Sequence, residues 1–280
     1  MSRLHVTHTT TFRYAALVTA SYNEARMIPV SQPGQRVLEA SLEVTPQSWR
    51  HDFVDYWGTA VSAFEVTFPH DRLVITARST VEMDGTFQVP SEVAPWDVVR
   101  GQPVRDRLAE FLASTTTTAA PAEVVELAEA CVEGRGPHEA AEAICRAVRE
   151  ELEYVPGVTA VHTPATEAWA ARTGVCQDMA HLSLGALRAV GIPARYVSGY
   201  LYPLSGGEIG QTVVGESHAW VEWWAGQWTG FDPTNRIFAD DGHVILARGR
   251  EYPDVAPLRG IYAGTGTEDL DVEVQITRGA

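Results

Sequence analysis

A change of hydrophobic period, from two residues to 3.6 and back, constrains the fold of this chain more than any other feature. Up to about residue 85, apolar side chains alternate with polar ones. Leu38, Ala40, Leu42 and Val44 share one face of "RVLEASLEV", and Leu73, Ile75, Ala77, Ser79 and Val81 share one face of "RLVITARSTVEM". Phe64, Val66 and Phe68 do the same in "AVSAFEVTF". Such alternation marks strands with one buried side, and several in succession predict an antiparallel β-sandwich over residues 1–95. Pro90 and Pro95 in "FQVPSEVAPW" mark its exit.

Period 3.6 then takes over. Val124, Leu127, Ala128 and Cys131 lie at helical spacing, as do Ala141, Ile144, Cys145, Val148 and Leu152. Strands return after Ala194 in "ARYVSGYLY", "SHAWVEWW", "QWTGFDPT" and "LDVEVQI". A second domain of α+β type over residues 96–280 follows, with helices at 96–155, a core at 156–235 and C-terminal strands at 236–280. The Thr115 to Thr118 run reads as a connecting loop.

The formal charge of −15 argues against nucleic acid or an anionic membrane as a partner. All 21 basic residues are arginine, so the protein offers no ε-amine of its own. The first residues lack a basic segment followed by an apolar run, and no stretch approaches the roughly 18–20 apolar residues of a membrane span. With three unevenly spaced cysteines and no C-x-x-C pair, a disulfide framework and a structural zinc site are not expected. A reducing cytoplasm is the expected compartment.

Two of those cysteines, Cys131 and Cys145, fall on apolar helix faces and read as small core residues. Cys176 is different. It follows the Thr173-Gly174 turn and precedes a stripe of Met179, Leu182, Ala186, Leu187 and Val190 that stops at Gly191 and Pro193. It therefore opens a helix of about 15 residues, where free N–H groups and the macrodipole favour negative charge. The thiolate is the reactive form, and the same N–H groups can stabilise an oxyanion. A buried cysteine at a helix start is the alternative.

A partner base decides between the two. His218 begins the strand "HAWVEWW", sharing a face with Trp220, Glu222 and Trp224. A three-residue loop Trp224-Ala225-Gly226, with Gly226 left-handed, places Trp223 opposite Gln227 and His218 directly opposite Asp232. Their Cβ atoms would then lie about 4.5–5.5 Å apart. A carboxylate beside an imidazole fixes its tautomer and stabilises imidazolium, as nucleophilic cysteine requires. His181, five residues past Cys176, points off the apolar stripe, and His243 follows the turn Asp240-Asp241-Gly242.

Together "GVCQDMAHLSLGALRAVGIPARYVSGYL", "GESHAWVEWW" and "GFDPTN" resemble the three core motifs of the transglutaminase-like superfamily. "FRYAALVTASYNEARMIPVSQPGQRVLEASLEVTPQ", "DYWGTAVSAFEVTFPHDRLVITARSTVE" and "GREYPDVAPLRGIYAGTG" are similar to the bacterial branch that carries an N-terminal β domain. Met179, where an aromatic is expected, and the turn in "DDGHVILARGREY" depart from that pattern. The resemblance implies a papain-like core with Cys176 as nucleophile, His218 as base and then acid, and Asp232 as orienter. It implies acyl transfer from peptide or protein amides through a thioester. Animal members of the superfamily can need calcium, but the sequence carries no EF-hand-like loop, and neither cofactor nor metal is expected.

Gln177 and Asp178 can supply backbone N–H groups or cap the helix. Tyr154 and Trp169 are candidates to line the site or donate to the oxyanion. Trp220, Trp223, Trp224 and Trp228 crowd one hairpin, where some cover core and others wall the cleft. Glu216 is a candidate contact for an amine, or a solvated carboxylate. Hydrolysis, by a peptidase or glutamine deamidase, is preferred over crosslinking to an amine. A non-catalytic binding module on an inactive core, and a metal site of Cys176, His181, His218 and Asp232, are the competing readings.

Overall fold

Strand alternation in the first third of the chain builds two sheets that share one inner layer. The computed structural model describes residues 2–85, 93–202, 208–215 and 217–279, so that Pro90 and Glu216 lie outside the described residues. The first strands are β1 (Ser2–Val18), β2 (Ala20–Ala25), β3 (Gln35–Thr45), β4 (Trp49–Val54), β5 (Ala60–Val66) and β6 (His70–Met83). Leu73, Ile75, Ala77, Ser79 and Val81 are all buried along β6, as their alternation requires. The face expected for β3 breaks at Leu38, which is 43% exposed. The pairing with β6 shifts between Val37 and Glu39, so Leu38 is the extra residue of a bulge. Phe68 falls beyond the end of β5 and is exposed.

Helices then follow: α1 (Trp96–Val99), α2 (Gln102–Arg107), α3 (Ala122–Val132), α4 (Pro137–Glu151) and α5 (Ala165–Ala171). The two-residue strands β7 (Glu153–Tyr154) and β8 (Thr173–Gly174) pair in parallel, and β8 leads into α6 (Cys176–Ala189). Gly191, at φ +81, ends that helix in the left-handed conformation expected after a C-terminus. Every residue of α6 from Gln177 to Arg188 is buried, polar ones included, which marks it as the central helix of the core. It lies against α3, α4, α5 and a sheet. Cys145 is fully buried and Cys131 half-buried, both in that core.

The sheet against α6 has the order β13-β12-β11-β9-β14. Its strands are β9 (Ala194–Leu201), β11 (His218–Trp224), β12 (Trp228–Asp232), β13 (Ile237–Phe238) and β14 (His243–Gly249), with β10 (Thr212–Gly215) lying between β9 and β11 in sequence. The chain ends with α7 (Tyr252–Val255), β15 (Leu258–Ala263) and β16 (Glu268–Gly279).

The last two strands correct an expectation. Rather than completing the second half, β15 pairs with β2, and β16 pairs with β1 over Arg3 to Tyr14. The resulting sheets run β10-β16-β1-β6-β3 and β15-β2-β5-β4. A 17-residue strand such as β1 leaves a long row of unpaired backbone groups at its edge, and β16 satisfies them. One face of the five-stranded sheet serves two cores. Tyr14, Leu73, Ile75 and Ala77 pack against Phe64 and Val66 of the smaller sheet. Leu4, Val6, Val81, Val274 and Ile276, on the same face, join the large core around α6. Among the described residues, no helix is long and apolar enough to cross a membrane.

Candidate active site

Cys176 is the first residue of α6 and is half-buried. Val175 precedes the helix in an extended conformation and has no polar side chain to cap it. Asp178 does that work instead. Its Oδ2 accepts the Val175 N–H at 2.8 Å and the Thr159 hydroxyl at 2.7 Å, fixing the turn that carries the thiol. Burial pushes the Asp178 carboxyl up, against the lowering effect of those donors. A Cβ on Gly174 would fall 2.8 Å from the Asp178 Cβ, so the glycine before the nucleophile makes room for the capping carboxylate. The amides of Cys176 and Gln177 lie in the first turn, where no preceding turn supplies acceptor carbonyls.

His218 begins β11, and its Nε2 lies 2.7 Å from Asp232 Oδ2 at the end of β12. The Cys176 side chain acts on the same imidazole, favouring its charged form. Because Nε2 is occupied by the carboxylate, Nδ1 is the nitrogen left for sulfur. The His218 side chain is 12% exposed and Asp232 fully buried. Burial alone would lower the imidazole, but the hydrogen bonds to Asp232 and Cys176 win and push it up to about 10. It is therefore held as imidazolium at neutral pH.

The hairpin reaches this arrangement by a different register from the expected one. Trp224 pairs with Trp228 and Val221 with Phe231, so the loop is Ala225-Gly226-Gln227. Continued along the strands, this register puts Asp232 opposite Trp220, with His218 one diagonal step away rather than directly opposite. The shift moves the pairing by two residues, and a shift of two keeps every side chain on its face. Gly226 is left-handed, as expected, at φ +101.

Two residues that pattern reasoning missed complete the carboxylate's surroundings. Asn235 donates its Nδ2 to Asp232 Oδ2 at 2.7 Å and its backbone N–H to Oδ1 at 3.2 Å. His243, fully buried, places Nε2 3.5 Å from Asp232 Oδ2 and Nδ1 2.9 Å from Asp240 Oδ1. Burial would raise the Asp232 carboxyl, but these donors hold it well below the usual carboxylate range. His243 is raised in turn: burial opposes its charge, and the two flanking carboxylates overcome it. The signals were present in "DPTN" and "DDGH", one reading as a strand end and the other as a turn.

The remaining candidates divide. Trp220 is fully buried beside the site, near-parallel to His218 at 6.2 Å and edge-on to His243 at 5.2 Å. Its indole N–H has no partner among the described residues. The ring fits because Gly199, paired with His218, has no Cβ, which would lie 2.5 Å from it. Gln177 donates its side chain to the Val161 carbonyl at 3.2 Å, so any oxyanion contact would come from its amide. Tyr154 pairs with Gly174, two residues before the thiol, and is 44% exposed. Trp169 is not a donor to the site: its indole N–H goes to Glu123 Oε2 at 2.8 Å, under the Arg172 guanidinium. Met179 is fully buried core. His181 turns away from His218, its Nε2 accepting the Tyr252 N–H at 3.2 Å, and burial pushes it down to about 3.

The fold and the Cys-His-Asp geometry together define a papain-like core fused to a β-sandwich. Residues 126–233 match the transglutaminase-like superfamily, and residues 4–82 match the bacterial transglutaminase-like N-terminal region. The chain belongs to the transglutaminase-like superfamily. Protein ML0607 of Mycobacterium leprae is 41% identical over 278 residues, 99% of each chain. Protein Rv2569c of Mycobacterium tuberculosis is 34% identical over 98% of this chain and 92% of its own. A protein-glutamine gamma-glutamyltransferase of Pseudomonas aeruginosa is 32% identical over 143 residues, 44% of this chain and 21% of that one. A solved structure of a candidate cysteine protease from Cytophaga hutchinsonii shares the fold, with a TM-score of 0.74 and 23% identity over 98% of this chain and 90% of that one.

Proposed function

We propose that the protein is a cysteine-dependent acyl-transfer enzyme acting on peptide or protein amides. The observation that carries this reading is one constellation: a cysteine at a helix start, beside an imidazolium that a buried carboxylate orients. Cys176 reacts as the thiolate of a thiolate–imidazolium pair, its proton already on His218. The sulfur attacks the amide carbonyl carbon, and the C=O π pair moves to the oxygen, which becomes an oxyanion facing the first amides of α6. Collapse of this intermediate breaks the C–N bond, with the His218 imidazolium giving its proton to the departing ammonia or amine. The resulting thioester is resolved by a nucleophile whose proton His218, now neutral, accepts. Asp232 stays ionised throughout, keeping the imidazole in one orientation.

Water is the preferred resolving nucleophile, since it is abundant and the sequence carries no identifiable amine-donor site. This makes the enzyme a peptidase or glutamine deamidase. Similarity to a protein-glutamine gamma-glutamyltransferase supports amine acceptance as the second reading. A glutamine-containing peptide library, incubated with and without a primary amine and read by mass spectrometry, separates the outcomes. Chain cleavage marks a peptidase, a gain of about one mass unit marks deamidation, and an amine adduct marks transamidation. Cys176→Ala should abolish whichever product forms. Product persisting in that variant would remove Cys176 from the chemistry.

A further inference from the structure

A cavity of about 440 Å³, within the range of ligand pockets, lies at the seam between the five-stranded sheet and the α6 core. On the core side its wall includes Ser217, Val161 and Tyr252. Each is one residue or one contact away from the machinery already described. Ser217 adjoins His218. The Val161 carbonyl holds the side chain of Gln177, the neighbour of Cys176. Tyr252 binds His181 of the same helix through its N–H, and its ring meets Tyr196 edge-on at 6.4 Å.

The opposite wall belongs to the sandwich. Thr10 and Phe12 of β1 pair with Val272 and Leu270 of β16, and all four line the cavity. Alternation puts these side chains on one face, and Asp271, opposite Thr11, also borders the cavity. At the floor, His8 is buried, with Nδ1 at 3.0 Å from the Tyr200 hydroxyl and Nε2 at 3.3 Å from the Thr10 hydroxyl. Burial pushes it down to about 4, so it is neutral at physiological pH. The recess therefore combines apolar walls, a few hydroxyls and a neutral imidazole, in a protein whose formal charge is −15. An anionic side chain of a substrate would be desolvated there beside Asp271 and without a cation among the lining residues.

We propose that this recess is the acyl-donor specificity pocket: it takes an uncharged, apolar side chain of the substrate peptide adjacent to the amide that Cys176 attacks. On this view the sandwich takes part in substrate selection, because β1 and β16 supply one wall. The inference rests on the acyl-transfer reading. Filling an apolar pocket correctly discriminates by about 10- to 200-fold.

The test uses the full-length protein and chloroacetamide-bearing peptides that differ only in the residue beside the electrophile: Leu, Phe, Asp or Lys. Rates of Cys176 modification are read by mass spectrometry, with iodoacetamide as a small reagent that does not need the pocket. The Leu and Phe probes should react at least about 10-fold faster than the Asp probe, and faster than the Lys probe. Leu270 is 54% exposed and Val272 37%, so both positions tolerate substitution without loss of the fold. Leu270→Arg should collapse the preference and favour the Asp probe, and Val272→Thr should reduce it, while the iodoacetamide rate stays unchanged. Equal rates for all four probes in the unmodified protein, a preference for Asp or Lys, or a ratio unmoved by both substitutions would overturn the pocket. Failure of the acyl-transfer reading looks different: iodoacetamide would then modify Cys176 no faster than Cys131.

Discussion

Asp232 is over-determined by its neighbours. One oxygen, Oδ2, receives both His218 and Asn235 at 2.7 Å, with His243 beyond them. Its role as orienter depends on charge, so Asp232→Asn should lower kcat by on the order of 10²–10⁴-fold and leave the fold intact. Asn235→Ala removes a direction rather than a charge. It should lower kcat by up to about 10²-fold with KM little changed, the signature of a misplaced group. His243 acts through electrostatics. Flanked by Asp232 and Asp240, it shares the carboxylate that His218 needs. Its removal leaves more negative charge for His218, so in His243→Phe the alkaline limb of kcat/KM against pH should move upward. A limb that moves downward or stays in place would show that His243 only fills space.

At the scale of elements, Glu222 ties three strands of the catalytic sheet. Its carboxylate on β11 bonds Arg195 of β9 and Arg248 of β14, and burial is overcome by the two guanidinium groups, which hold it down at about 2. Glu222→Gln leaves two largely buried cations short of a counter-charge and should cost about 3–5 kcal/mol, read by urea denaturation. In the native protein this contribution is complete above the ordinary glutamate range and is lost as pH falls toward 2. In the catalytic helix, a Cβ on Gly185 would lie 2.2 Å from the Thr118 carbonyl oxygen, so Gly185→Ala should destabilise by about 1–3 kcal/mol or more. The Thr115 to Thr118 connection is thus a close backbone contact of α6. Periodicity shows a strand's faces and a helix's start, which is why Cys176, His218 and Asp232 were legible. It does not show register. The expected loop was displaced by one residue because Trp224 stays in β11: its N–H reaches the Pro193 carbonyl, and its ring is buried under Arg107. Those partners are distant in sequence, as is the pairing of β16 with β1.

Across the whole molecule, buried histidines of opposite sign set the pH at which the protein is most stable. His8 and His181 are neutral in the fold, held down at about 4 and about 3 by burial, whereas unfolded they titrate near 6.5. Below about pH 6.5 the unfolded chain therefore binds more protons than the folded one, and stability must fall as pH falls. Each contributes about 1.4 kcal/mol per pH unit until its folded value is reached. His243 works the other way. Its folded value is raised by Asp232 and Asp240, so its contribution is complete below about pH 6.5 and lost as pH rises through the folded value. Glu222 and Asp232 join the acid side only once their unfolded carboxyls protonate, below about pH 4.5. Stability measured by urea denaturation should thus peak near pH 6.5, with an acid limb of roughly 2–3 kcal/mol per pH unit between about pH 6 and 4. Replacing His8 and His181 together by asparagine should flatten that limb while leaving the alkaline decline in place. An acid limb of undiminished slope in the double variant would assign it to other groups. A shallow limb in the native protein would mean that His8 and His181 take up protons without unfolding, through a local opening at the seam where β1 and α7 meet the core.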